Sequence, residues 1–247
     1  MKKNIFLIPA TLLAVMLFNL SQYAAGDPNI DRLKDAARKH YWGIGVPKDF
    51  SKALSLYLKA SELGDSEARY IAGGMYFKGL GTPRDFNKAF SLLYGAAQEG
   101  SSTPESQKLL GEFFLTGTGT PKNLQEAMKW YQMAAENGDR DSQSELAFLY
   151  FTGRGGERDV KKAFKWYTEA AYQGLAVAQY SLGIMYYSGS GIPKVDLVKA
   201  YGWLSMAAIQ NYPNAASARD YIDTLFSQDE RNAAQDYSLE LFNRIQR

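Results

Sequence analysis

Apolar and small side chains recur along this chain at helical spacing, in segments of about a dozen residues that end on glycine. In residues 68–78 the pattern places Ala68, Ala72, Met75 and Tyr76 together. Gly79-Leu80-Gly81 then breaks it, because glycine adopts the left-handed conformation of a helix end at little cost. Thr82-Pro83-Arg84 crosses over, and Asp85 stands where its carboxylate caps a second helix. That helix carries Ala89, Leu92 and Ala96-Ala97 before Gly100 stops it. The same unit returns along the chain: a Gly-x-Gly element ends on Gly45, Gly81, Gly119, Gly155 and Gly191, at steps of 36, 38, 36 and 36 residues. A period of that length predicts an all-α solenoid of stacked helical hairpins.

The register runs through every copy. The capping position holds Asp49, Asp85, Asn123, Asp159 and Asp196, and four residues on stands Ala53, Ala89, Ala127, Ala163 or Ala200. Three further come Leu56, Leu92, Trp130, Trp166 and Trp203, large residues expected to fill the gap beside closely approaching small ones. Each first helix has a small anchor: Ala37, Gly73, Gly111, Ala147 or Gly183. Three residues after it lies a ring slot, Tyr76, Phe114, Tyr150 or Tyr186, with His40 in the first copy, and the rings are expected in the core. Two departures stand out: Ser101-Ser102-Thr103-Pro104 lengthens the second junction between repeats, and the fifth crossover has one extra residue before Asp196.

Segments such as Ala178-Gln-Tyr-Ser-Leu-Gly-Ile-Met-Tyr-Tyr-Ser-Gly-Ser-Gly191 and Asp159-Val-Lys-Lys-Ala-Phe-Lys-Trp-Tyr-Thr-Glu-Ala-Ala-Tyr-Gln-Gly174 resemble Sel-one-like repeats, relatives of the tetratricopeptide repeat. The resemblance implies a right-handed superhelix of helix pairs and work as an adaptor or scaffold, often in bacterial envelopes. It divides the chain into repeats at about 31–67, 68–104, 105–141, 142–177 and 178–214 within a solenoid of residues 27–216, followed by capping helices over 217–247. In that tail Ser227 and Glu230 form a capping-box pattern, and Tyr237, Leu241 and Ile245 make one stripe to cover the open end of the stack.

Residues 1–26 read differently. Lys2 and Lys3, an uncharged apolar stretch from 5 to 20, and Ala24-Ala25-Gly26 describe a cleaved secretory signal peptide, which predicts a periplasmic or secreted protein without a stable transmembrane segment. The chain has no cysteine, so it is not a lipoprotein and carries no disulfide. Without the two leader lysines, 26 basic residues face 26 acidic ones, an even charge that argues against nucleic acid as partner.

Little in the chain points to catalysis. His40 is the only histidine, which excludes His-rich metal sites, and a cysteine nucleophile is impossible. No Ser-x-x-Lys occurs. Glycine-rich stretches such as 153–156 lack the lysine and hydroxyl of a phosphate loop and recur as turns. No cofactor and no metal are expected.

What remains is surface. Four residues after each anchor come Tyr41, Phe77, Leu115, Phe151 and Tyr187; three before it come Lys34, Tyr70, Lys108, Ser144 and Tyr180; one after it come Arg38, Gly74, Glu112, Phe148 and Ile184. At about 100° per residue these rows share one side of each first helix, turned toward the inner groove. The binding candidates are Tyr41, Tyr70, Phe77, Leu115, Phe148, Phe151, Tyr180 and Tyr187. The same rings also fit packing against the neighbouring repeat. The leading expectation is an exported, non-enzymatic module whose groove takes a protein or peptide of the cell envelope. A neutraliser of a secreted toxin is a narrower form of it. A peptidoglycan- or glycan-associated factor is the alternative, since aromatic grooves also stack on sugars, and a cell-wall enzyme ranks last.

Overall fold

The structure, a computed structural model, describes residues 27–245. The leader assigned to residues 1–26 lies outside them. Among the described residues there are twelve α-helices and no strand. The chain forms two compact units that divide between Ser101 and Ser102, inside the lengthened junction.

The N-terminal unit contains two hairpins, α1 (Pro28–Trp42) with α2 (Phe50–Glu62) and α3 (Ser66–Lys78) with α4 (Phe86–Gln98). The C-terminal unit contains three more: α5 (Pro104–Thr116) with α6 (Leu124–Glu136), α7 (Arg140–Thr152) with α8 (Val160–Tyr172), and α9 (Ala176–Ser188) with α10 (Leu197–Ile209). Two terminal helices follow, α11 (Ala215–Asp223) and α12 (Gln228–Ile245).

All five expected caps form. Asp49, Asp85, Asn123, Asp159 and Asp196 each accept a backbone N–H of the first turn, for example Lys52 N to Asp49 Oδ1 at 2.9 Å. The hairpin turn is closed by a further bond that the sequence reading missed. The N–H of each cap donates to the carbonyl of the ring-slot residue, from Asp49 to His40 at 2.8 Å through Asp159 to Tyr150 at 2.9 Å. The fifth turn keeps it, Asp196 to Tyr186 at 3.1 Å, and Val195 beside the cap stands exposed. The Gly-x-Gly element divides its work. Its first glycine is the left-handed C-cap of the first helix; its second, where a repeat precedes it within the same unit, lies against the start of that repeat's second helix, as Gly155 does against the Leu124 carbonyl.

The core differs from the expectation by one position. Of the ring-slot residues only Phe114 is buried; Tyr76, Tyr150 and Tyr186 are half-buried. They lie in the last turn of the first helix and overhang the start of the second, where Lys88, Lys162 and Lys199 place ammonium groups 5.2, 5.1 and 5.5 Å from their ring centres. The position before them, Met75, Phe113, Leu149 and Met185, is the one closed to solvent. In the second helices Trp130 and Trp203 are buried as expected, whereas Leu56, Leu92 and Trp166 are half-buried. The residue after each of these, Tyr57, Leu93, Tyr131, Tyr167 or Leu204, is the one buried in every repeat. The anchor glycines explain why: a Cβ on Gly73 would stand 2.8 Å from Leu93 Cγ, and one on Gly183 2.8 Å from Leu204 Cγ.

A polar ladder was also not foreseen. Four residues before the anchors stand Arg69, Gln107, Gln143 and Gln179, the three glutamines all buried. Gln143 donates to the Ala135 carbonyl at 3.1 Å and accepts from Gln173 at 2.8 Å; Gln179 donates to the Ala171 carbonyl at 3.2 Å and accepts from Gln210 at 2.8 Å. In the N-terminal unit Arg69 reaches back to Ser61 and forward to Glu99. The rungs at Arg69, Gln143 and Gln179 each tie the end of one second helix to the end of the next. Gln179→Leu leaves the Ala171 carbonyl and the Gln210 amide without this partner and is expected to cost about 1–3 kcal/mol, read as a shift in the denaturation midpoint.

The C-terminal tail folds as read. Glu230 accepts from the Ser227 N–H at 2.9 Å, and Leu241 is buried with Tyr237 and Ile245 packed at the same core. These side chains cover the last repeat.

Candidate functional site

None of the eight candidate side chains is buried. In the N-terminal unit Tyr41 meets Phe50 edge-on at 5.2 Å, and Phe77 lies 5.9 Å from Phe86. Tyr41, Tyr70, Gly74 and Lys78 border an open cavity of about 190 Å3. In the C-terminal unit Leu115 and Phe151 are half-buried and Phe148 is 41% exposed. Arg158 covers the Phe151 ring at 5.5 Å and donates Nε–H to the Phe151 carbonyl at 2.8 Å. Tyr180 stacks obliquely on Tyr212 at 5.1 Å. Tyr187 meets Tyr221 edge-on at 6.3 Å, and with Ile184 and Ala218 they enclose an apolar cleft of about 70 Å3. The rings therefore do both things the spacing allowed: each packs on one side and stays open on another. Tyr221, in the tail, is a member of this surface that the repeat register could not reveal.

The charges on the same face form ordered junctions between consecutive first helices. Between α1 and α3, Lys34 pairs with Asp65 at 3.1 Å and with Glu67, and Arg38 pairs with Glu67 at 3.3 Å. Asp65 works twice, since its other oxygen caps α3 through the Ala68 N–H at 2.6 Å. Burial alone would lower the Lys34 ammonium, but the Glu67 and Asp65 carboxylates outweigh it and hold it above its usual range; Lys34 in turn holds Glu67 below the usual carboxylate range. Between α5 and α7, Lys108 pairs with Asp141 at 3.0 Å and Asp139 at 3.8 Å. Here two further carboxylates gather. Crowding by protein, then Asp141 and Asp139, push Glu112 up against the pull of Lys108; crowding, then Glu112 and Asp141, push Glu145 up. Both side chains are nevertheless open to water.

A carboxyl whose pKa is raised by folding binds its proton more tightly in the folded chain than in the unfolded one. Its contribution to stability is therefore lost as pH rises from the ordinary value of 4.5 through the raised one. Glu145→Gln removes that loss. The variant is expected to match the parent near pH ~4 and to exceed it in melting temperature near pH ~7. A difference that does not grow with pH would remove this reading of Glu145.

Among the described residues no three His, Cys, Asp or Glu side chains stand close enough to hold a metal ion, and no helix is long and apolar enough to cross a membrane.

Comparison with known proteins places this architecture. Five consecutive segments match the Sel1 repeat model, at residues 14–65, 66–101, 104–139, 140–175 and 176–212. The first begins inside the stretch read as a leader. Among curated proteins none matches the chain. A solved Sel1 repeat protein from Oxalobacter formigenes is 29% identical over 80% of this chain and 84% of its own, with a TM-score of 0.64. The structure of c5321, described as a protective antigen of uropathogenic Escherichia coli with an SLR fold, is 24% identical with a TM-score of 0.56; the match covers 86% of this chain but only 53% of that one. The immunity protein Pa5087 of Pseudomonas aeruginosa is 18% identical over 87% of this chain and 83% of its own, at a TM-score of 0.37, too loose a likeness to carry function across.

Proposed function

The chain belongs to the Sel1 repeat family, an all-α repeat solenoid, and on that basis we propose that it is an exported, non-enzymatic protein-binding adaptor that takes its partner on the face of its first helices. The observation that carries this reading is the split in burial along those helices. Met75, Leu146, Leu149, Leu182 and Met185 are closed off, while Tyr70, Phe148, Phe151, Tyr180 and Tyr187 on the other side keep part of their surface in water. Rings held by packing yet open on one side offer contact area at little cost in side-chain freedom. The remaining chemistry supports binding rather than turnover: His40 lies in a turn-closing position and its carbonyl accepts from the cap of α2. Export rests on the leader read in residues 1–26.

The test uses residues 27–247 immobilised and exposed to envelope extract, beside the variant Phe148→Ser/Tyr187→Ser. One protein retained by the parent and lost from a variant of unchanged melting temperature is the expected result. Retention on purified peptidoglycan sacculi with no protein retained would replace the reading with the sugar-binding alternative. Turnover of a cell-wall substrate would overturn the non-enzymatic part.

A further inference from the structure

The two first-helix junctions use the same register positions with one sign reversed. Lys34 and Lys108 stand three residues before their anchors; Asp65 and Asp139 cap the following helix; Glu67 and Asp141 stand two residues after those caps. One residue after the anchor, however, the first junction has Arg38 and the second has Glu112. Two residues before the next anchor, the first has Ile71 and the second Glu145. The first junction therefore sets two cations against two anions, all paired. In the second, Lys108 pairs with Asp139 and Asp141, and neither Glu112 nor Glu145 makes an ion pair among the described residues.

A second feature lies beneath them. Tyr131 is 1% exposed, and its ring lies against α5 where a Cβ on Gly111 would stand 2.9 Å from Tyr131 Cδ1. Its hydroxyl makes no hydrogen bond among the described residues, and the charges it senses are Glu145 and Glu112. The ring is closed off, but its oxygen is not among the side-chain atoms sealed in without a partner, so an arriving donor or acceptor can still bond it. Among the described residues these carboxylates do not form a group of three that could hold a metal ion. A charged side chain with several donors suits them better: a planar guanidinium or an ammonium reaches two carboxylates and a hydroxyl at once.

We propose that the C-terminal unit receives an arginine or lysine of its partner protein between Glu112 and Glu145, over the Tyr131 hydroxyl, in the place that Arg38 fills from within the chain at the other junction. This rests on the first-helix face being a protein-binding surface. The Phe148 ring, on the same helix as Glu145, and the Tyr187–Tyr221 cleft then take the apolar flank of a basic segment.

A random dodecapeptide display library selected on residues 27–247 tests it, followed by calorimetry with one selected peptide and its analogue in which arginine becomes citrulline, equal in shape but uncharged. Selected peptides are expected to share a basic residue. Citrulline and the double substitution Glu112→Gln/Glu145→Gln should each weaken binding about ten-fold, and together no further, because both remove the same contact. The glutamine variant should melt no lower than the parent, so lost binding is not lost folding. Selected peptides without a basic residue that bind both proteins equally would overturn the inference and leave the protein-binding face standing. So would an arginine whose loss weakens both proteins alike. Selection of no peptide at all would count against this inference and the broader reading together.

Discussion

Replacing Trp203 by alanine is expected to destabilise the C-terminal unit by about 3–5 kcal/mol, the largest effect of any single truncation in the chain. Trp203 is 1% exposed and meets the Tyr172 ring edge-on at 4.9 Å. Tyr172 is held on its other side by α12: the Arg244 guanidinium lies 4.2 Å from its ring centre and donates to its hydroxyl at 3.3 Å. Next to Trp203, Gly202 leaves room for Tyr237 of the same helix. The indole is therefore the piece on which α8, α10 and the terminal helix converge, and its removal leaves a cavity in the core cluster it shares with Leu182 and Leu241. Trp166 holds the same register position but is only half-buried, with Lys165 over its ring at 5.0 Å. Trp166→Ala should cost distinctly less. Denaturant midpoints of the two variants check the order, and equal losses would show that α12 does not depend on the indole.

Gly81→Ala is expected to cost about 2–4 kcal/mol and Gly45→Ala about 1 kcal/mol. Both glycines are the second of their Gly-x-Gly element and share the left-handed backbone, φ +75° and +69°. Both alanines therefore carry the same local strain. They differ in what lies outside. A Cβ on Gly81 would overlap the Phe50 carbonyl and stand 2.5 Å from the Ser51 nitrogen, whereas one on Gly45 meets nothing within 4 Å. The Ser51 hydroxyl donates to the Gly81 carbonyl at 2.8 Å, so the turn has no free path away from α2. The difference between the two variants isolates the contact between successive repeats from the conformation of the turn. Equal melting temperatures would mean that the second glycine serves the turn alone.

The parts of the fold that were legible in the sequence are those set by local chemistry. A carboxylate or amide at each cap, glycine where φ is positive, and Ser227 with Glu230 ahead of the last helix act within a few residues, so spacing reveals them. Burial depends on which neighbour covers each side of a helix, and there the reading slipped by one position. Tyr76, Tyr150 and Tyr186 were expected inside; they lie at the helix end under lysines, and Met75, Leu149 and Met185 fill the interior. The glutamine ladder was visible as Gln107, Gln143 and Gln179 at one interval, but only the structure shows that Gln143 and Gln179 each bond a carbonyl eight residues back in the chain, while Gln107 bonds the Ser102 hydroxyl. The candidate face was named from the register, and its rings proved part packed and part open. The charge reversal from Arg38 to Glu112 could have been found by aligning the repeats. Its meaning needed the pairing of Lys108 with Asp139 and Asp141.

The claim that matters most is that a protein partner seats on the first-helix face. It is tested most directly by placing a photo-crosslinking amino acid at Phe148 or Tyr187, and at the exposed Ile209 of α10 as a contrast, in the full chain expressed in its native cells. The account predicts one discrete protein adduct from Phe148 and Tyr187 and none from Ile209. Adducts from Ile209 alone, or none from either face position, would contradict it.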